Sequence, residues 1–185
     1  MSFTDSILLN GYAELGNMSG WEYSGASVVN DPVYGGRHFL LSGGGYMMQQ
    51  LPLTTIANIA AKYLFIIHYY RTTVEILMDP TQQAYCEILL RYEEGMEDVH
   101  TFPFQGQPHR FNIVEVEIDI PEGAQLSDLV VRILNHERFS VRLDNIQLRP
   151  SVEYSVPDSG GDYSNFREKS ILYGLEEDLP KLGGY

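Results

Sequence analysis

The sequence is poor in cations. Its 185 residues hold 12 Lys and Arg against 25 Asp and Glu, for a net charge of -13. Such a surface repels phosphate backbones and anionic headgroups, which argues against nucleic-acid binding and adsorption on membranes. Cysteine is almost missing: Cys86 alone cannot close an intrachain disulfide, and no cysteine cluster is available for zinc. Long hydrophobic runs are absent too. The longest apolar stretch, Tyr63 to Tyr70, contains His68 and is far too short to cross a bilayer. Met1-Ser2-Phe3-Thr4-Asp5 lacks the basic start of a secretory signal, and the apolar Ile7-Leu8-Leu9 stops at once. Synthesis in a cytoplasm without a signal peptide is therefore expected, in keeping with a lone thiol. Release with a larger particle such as a virion would supply a route outside.

Signatures of covalent chemistry are also wanting. His38, His68, His100, His109 and His136 show no metal-ligand spacing, and no Gly-x-Ser-x-Gly, phosphate-loop or dinucleotide fingerprint occurs. Gly43-Gly44-Gly45 lacks a following Lys-Ser/Thr and reads as the opening of a strand. Glu115, Glu117 and Asp119 alternate as a solvated stripe, while Glu93-Glu94 and Glu97-Asp98 read as loop. Cys86 alternates with apolar residues and reads as an inert core thiol. The expected class is a non-enzymatic binding or structural module.

What the chain does have is 13 Tyr, 17 Gly and 9 Pro, a balance that favours strands and turns. Period-2 patterning is clear in Ala84 to Tyr92, where Ala84, Cys86, Ile88, Leu90 and Tyr92 share a face. Val114, Val116, Ile118 and Ile120 share another, and Leu129 to Leu134 and Phe139 to Leu143 repeat the scheme. Tyr63 to Tyr70 is apolar throughout, as in a central strand covered on both faces, and Thr73 to Leu77 follows it. Asp79-Pro80, Glu94-Gly95, Gly106-Gln107-Pro108 and Pro121-Glu122-Gly123 supply turns. Only Ile56 to Ala61 and parts of the tail could be helical. The pattern predicts an all-β, two-sheet antiparallel sandwich over residues 1–149.

After Arg149 the composition changes. Pro157-Asp158-Ser159-Gly160-Gly161 is a linker signal, and residues 150–185 read as an extended C-terminal arm. The arm carries seven acids (Glu153, Asp158, Asp162, Glu168, Glu176, Glu177 and Asp178) spaced with Tyr154, Tyr163, Phe166, Leu172 and Tyr173. Aromatics and leucines along an acidic segment suit docking onto another protein surface, with order gained on binding; a frayed terminus is the alternative.

The order of several motifs resembles the carbohydrate-binding-module type of galactose-binding-like jelly roll. These are Leu8 to Glu14, Gly20-Trp21, Gly35-Gly36 before Phe39-Leu40-Leu41, Gly45 to Gln50, Tyr63 to Arg71, and Val141 to Leu148 with its Asp144-Asn145-Ile146 core. The likeness spans about residues 5 to 149 and implies a jelly-roll sandwich. It implies a structural calcium ion held by Glu14 and Asp144, against the alternative of a solvated acid and a turn-forming residue. Ala13 stands where the family has an aromatic, with Tyr12 one place earlier, a shift that reverses side-chain directions if the register holds. Sugar binding on a concave face would draw on Trp21, Tyr34, Tyr46, Tyr69, Tyr70, Tyr85 and Tyr92, and Trp21 reads as core. Tyr85, with Glu87 and Arg91 on the same strand face, is the ligand-binding candidate; packing beneath a loop is its alternative.

Two functions follow. One is a structural component of a larger assembly, such as a bacteriophage head, collar or tail decoration, tethered by the arm to neighbouring subunits or to further copies of itself. The other is a stand-alone lectin or adhesin that binds glycan.

Overall fold

In a computed structural model the described residues are 6–31, 35–52, 62–71, 83–93 and 95–151. The predicted helix at Ile56 to Ala61, the strand at Thr73 to Leu77 and Tyr34 lie outside them, as does the arm with Tyr154, Tyr163, Phe166, Leu172 and Tyr173. Among the described residues there is no helix. The strands are β1 (Glu22–Asn30), β2 (Arg37–Pro52), β3 (Lys62–Arg71), β4 (Ala84–Tyr92), β5 (Glu97–Pro103), β6 (Phe111–Asp119), β7 (Leu126–Asn135) and β8 (Val141–Pro150). All pairings are antiparallel, in the order β5-β4-β7-β2-β8-β3-β6, with β1 along β2.

Strand β2 belongs to both layers. Its second half, Tyr46 to Pro52, pairs with β7, while Phe39 to Leu41 in its first half pair with β8. Gly43-Gly44-Gly45 sits between the halves, inside the strand and not at its opening as the sequence suggests. Gly44 has φ +75°, and a Cβ on Gly43 would lie 2.4 Å from the Glu137 carbonyl oxygen. Only glycine admits both the turn in the chain and that approach. β1 follows the same corner, with its register shifting between Ser24 and Ala26.

The inner faces meet in one core. Phe39, Leu41, Phe65, Ile67, Leu143 and Leu148 come from one layer, and Met47, Cys86, Ile88, Leu90, Val131 and Ile133 from the other; all are fully buried. Burial drives this collapse at roughly 25 cal/mol per Å² of apolar surface. Trp21 closes one end, set edge-on to Phe39 at a centroid distance of 5.9 Å. Tyr69 stacks on Phe104 at 4.4 Å, and its hydroxyl oxygen accepts from the Gly106 N–H at 2.7 Å.

Three expectations are corrected. Glu97 and Asp98 open β5 instead of lying in a loop, since β4 can pair there through Arg91↔Glu97 and Leu90↔Asp98. Phe139 is exposed in the turn before β8, because the Asn135 side chain holds that turn by donating to the Leu41 and Phe139 carbonyls. Over Tyr63 to Ile67, β3 alternates between buried and half-buried residues, so its outer face is only partly covered there. At its end, Arg71 forms a buried ion pair with Glu137 at 2.9 Å.

The Tyr92 hydroxyl donates to Asp98 Oδ2 at 2.8 Å. Burial, reinforced by that hydrogen bond and by the carboxylate's charge, pushes the Tyr92 phenol up to about 12 from the ordinary 10.0. The unfolded chain therefore releases this proton first as pH rises. Stability from this group is intact below pH 10 and falls away between pH 10 and about 12. Chemical denaturation across that range is expected to show the loss, and Tyr92→Phe to flatten the slope.

Candidate functional site

Alternation along the strands puts a regular grid on the outer face of the β5-β4-β7-β2 layer. Cross-strand register aligns Pro103, Tyr85, Leu134 and Tyr46 in one row, Thr101, Glu87, Arg132 and Met48 in the next, then Val99, Leu89, Val130 and Gln50, and finally Glu97, Arg91, Asp128 and Pro52. The sequence candidates Tyr85, Glu87 and Arg91 thus do share a face of β4, with Leu89 between the last two.

The register also recruits residues that the sequence alone did not single out. Arg132 Nε donates to Glu87 Oε2 at 2.8 Å, and Arg91 Nε donates to Glu97 Oε2 at 2.8 Å while facing Asp128 at 3.5 Å. The Glu97 hydrogen bond holds the Arg91 guanidinium above its ordinary value, burial opposing. His136, just past β7, stacks on Tyr85 at 5.5 Å, with Tyr85 Oη 3.4 Å from its Nε2. Burial first, then the Glu87 charge, raises the Tyr85 phenol, with Arg132 opposing. Tyr85 is consequently a neutral hydroxyl at ordinary pH. Tyr46 donates to Glu22 Oε1 at 3.4 Å at the far side of the same face.

Between the two salt-bridged rows, Leu89 and Val130 point outward by register yet are each only 5 % exposed. The face therefore presents the Tyr85 and His136 rings beside two arginines and three carboxylates, over an apolar strip that is itself covered. Aromatic ring faces in general suit stacking on flat apolar surfaces, and the adjoining charged groups supply hydrogen-bond donors and acceptors. Of the other aromatics, Trp21, Tyr69, Tyr70 and Tyr92 are buried at 5, 3, 8 and 6 % exposure.

The suggested calcium ligands sit elsewhere. Residues 6–21 form turns instead of a strand, docked on β8 by Ile7 N–H to the Leu148 carbonyl at 2.8 Å and Ile146 N–H to the Gly11 carbonyl at 2.9 Å. Buried Asn10 ties this loop: its amide donates to the Asn17 and Ser19 carbonyls and accepts from Leu15 N–H, and its carbonyl receives the Trp21 indole N–H at 3.4 Å. Ala13 fits inside it, fully buried at φ +53°. Exposed Glu14 accepts from the Tyr12 N–H at 3.0 Å, and Arg37 donates to the Glu14 carbonyl at 2.9 Å. Asp144 accepts from the Asn145 N–H at 2.8 Å and faces His38 Nδ1 at 3.4 Å. The two carboxylates are held by different partners, and among the described residues no group of three or more His, Cys, Asp and Glu converges. A calcium ion would have to draw most of its six to eight oxygens from carbonyls and water.

A family 16 carbohydrate-binding module superposes with a TM-score of 0.56 at 22 % identity, covering 77 % of this chain and 98 % of that one. The fold is that of a carbohydrate-binding-module jelly roll. A tandem of family 22 modules from a Paenibacillus barcinonensis protein gives 0.57 at 13 % identity, covering 78 % of this chain and 50 % of that one. The enzymatically active domain of bacteriophage CBA120 tailspike protein 4 gives 0.57 at 15 % identity, covering 78 % of this chain. The match spans only 21 % of the tailspike chain. By sequence, no protein-family model and no curated protein matches the chain. No helix among the described residues is long and apolar enough to cross a membrane.

Since the Asn10 side chain ties the opening loop by hydrogen bonds to its own backbone, a chelator is expected to leave the melting temperature unchanged. A rise in melting temperature on adding calcium that Glu14→Gln or Asp144→Asn abolishes would instead assign an ion to those carboxylates.

Proposed function

We propose that the protein is a non-enzymatic glycan-binding sandwich whose ligand lies across the outer face of β4 and β7. The observation that carries this is the juxtaposition of the Tyr85 and His136 ring pair with the Glu87–Arg132 ion pair at 2.8 Å. The likeness of the fold to carbohydrate-binding modules supports it. No covalent step is required of any residue on this face: its groups bind and orient a polyhydroxylated ring. Both arginines are neutralised by carboxylates, so neutral saccharides suit the face better than acidic ones.

Affinity electrophoresis against neutral polysaccharides, or a glycan array, tests this with the full chain. Retardation is expected, and Tyr85→Ala is expected to weaken it by about tenfold or more, the equivalent of roughly 1.4 kcal/mol for a lost stacking surface. Absence of any retained glycan, or binding indifferent to both Tyr85→Ala and Arg132→Ala, would overturn the reading.

A second role is favoured by the tailspike likeness together with the acidic, aromatic composition of residues 150–185. On this proposal the sandwich is an accessory component of a larger assembly, a bacteriophage particle, and the arm docks on neighbouring subunits through Tyr154, Tyr163, Phe166, Leu172 and Tyr173. A glycan-binding body and a docking arm act together, since a second tethered contact strengthens attachment. Sedimentation of the full chain is expected to show a larger species than the chain truncated after Val152. Two monomers of equal behaviour would sink it.

A further inference from the structure

The turns at one end of the sandwich border an open cavity of about 470 Å³ lined by residues from the end of β4 and the β4–β5 and β6–β7 connections. Its wall is built, not incidental. Glu93 N–H donates to the Gln125 carbonyl at 2.9 Å, joining the two turns across the gap. Tyr92 N–H donates to the Met96 carbonyl at 2.9 Å, and Ala124 N–H to the Pro121 carbonyl at 3.0 Å, fixing each turn internally. The volume lies within the range of sites for small organic ligands, roughly 300–1,000 Å³.

The lining is chemically one-sided. Tyr92, Met96, Pro121 and Ala124 supply apolar surface, and Glu93 and Glu122 supply carboxylates. Among the described residues, no Lys or Arg lines the cavity. The described ion pairs engage Glu87, Glu97, Asp128, Glu117, Asp119, Glu137, Asp31 and, through His38, Asp144, but neither Glu93 nor Glu122. The well-buried carboxylates Asp31, Glu87 and Glu137 are each paired with an arginine, whereas Glu93 and Glu122, in no described ion pair, line this hollow. Met96, with 59 % of its surface exposed, gives one wall a soft, adaptable edge.

We propose that this cavity is a second binding site, separate from the outer face of β4 and β7, that takes an organic ammonium ion. The ligand is a primary amine on a short apolar stem. Its stem lies against Tyr92, Met96 and Pro121, and its charge sits between Glu93 and Glu122. A lysine side chain carries the ammonium on such a methylene stem; an amino sugar carries the ammonium on its ring and lacks the stem.

Backbone amide NMR on the full chain tests this with n-butylamine, n-butanol and butyrate as probes. Butylamine is expected to shift the amides of Glu93, Gly95, Gly123, Ala124 and Gln125, while butanol and butyrate shift them far less. Glu93→Gln with Glu122→Gln, both at exposed positions, is expected to lower the butylamine affinity on the order of tenfold without altering the melting temperature. Equal shifts from butanol and butylamine, shifts confined to other residues, or an affinity unmoved by the double substitution would overturn the proposal. Parallel titrations with glucosamine and with Nα-acetyl-lysine amide separate the two sources. Neither titration depends on whether neutral glycans bind at Tyr85.

Discussion

One strand has to serve two sheets. β2 pairs with β7 through its second half and with β8 through its first, and the layers are joined in a single hydrogen-bonded ladder because the chain bends at Gly43-Gly44-Gly45. That bend fixes which side chains face the core. Phe39 and Leu41 enter it from one layer, Met47 and Leu51 from the other. The outward grid around Tyr85 inherits its register from this choice, since a one-residue slip in β2 or β7 would turn Arg132 inward and Ile133 outward. A side chain at Gly43 would strike the Glu137 carbonyl, and Glu137 is also the buried partner of Arg71. The corner and the charged interior are therefore one structural problem.

The electrostatics follow a simple division. A chain of net charge -13 has few cations, and four arginines are placed where carboxylates meet apolar surface: Arg71 on Glu137, Arg142 on Asp31, Arg132 on Glu87, Arg91 on Glu97 and Asp128. Lys62 does the same for Glu117 and Asp119 on the edge strand β6, and the Glu117 hydrogen bond raises its ammonium above the ordinary value. Acids on β6 discourage pairing of that edge with another sheet, as charge on edge strands generally does.

Much of the fold was legible because alternation carries over directly into burial. Ala84, Cys86, Ile88, Leu90 and Tyr92 point into the core as their spacing predicts, and Val116 and Ile118 do so opposite the exposed Glu115, Glu117 and Asp119. Phe139 misled because an apolar residue in period with Val141 looks like strand, whereas Asn135 holds its backbone in a turn. Glu97 and Asp98 misled because charge suggests loop, although an edge strand accepts charge readily. At the candidate site, Tyr85, Glu87 and Arg91 were readable as one face of one strand. Arg132 and His136 were not, because cross-strand register depends on how the whole ladder is threaded and leaves no mark in local spacing.

Cys86 is the only thiol of the chain and is fully enclosed, facing Ile133 across β4 and β7. Burial, with the Glu87 charge adding to it, holds the thiol well above its usual range, so in the closed molecule it is doubly inert. Its neighbours along the backbone, Tyr85 and Glu87, are the ones that project onto the outer face of the sheet. An alkylating reagent can thus reach the sulfur only when this strand comes away from the sheet, and the labelling rate becomes a clock for breathing at that spot. Any ligand that clamps β4 against β7 would slow the clock, which gives the protein an internal, dye-free gauge of occupancy.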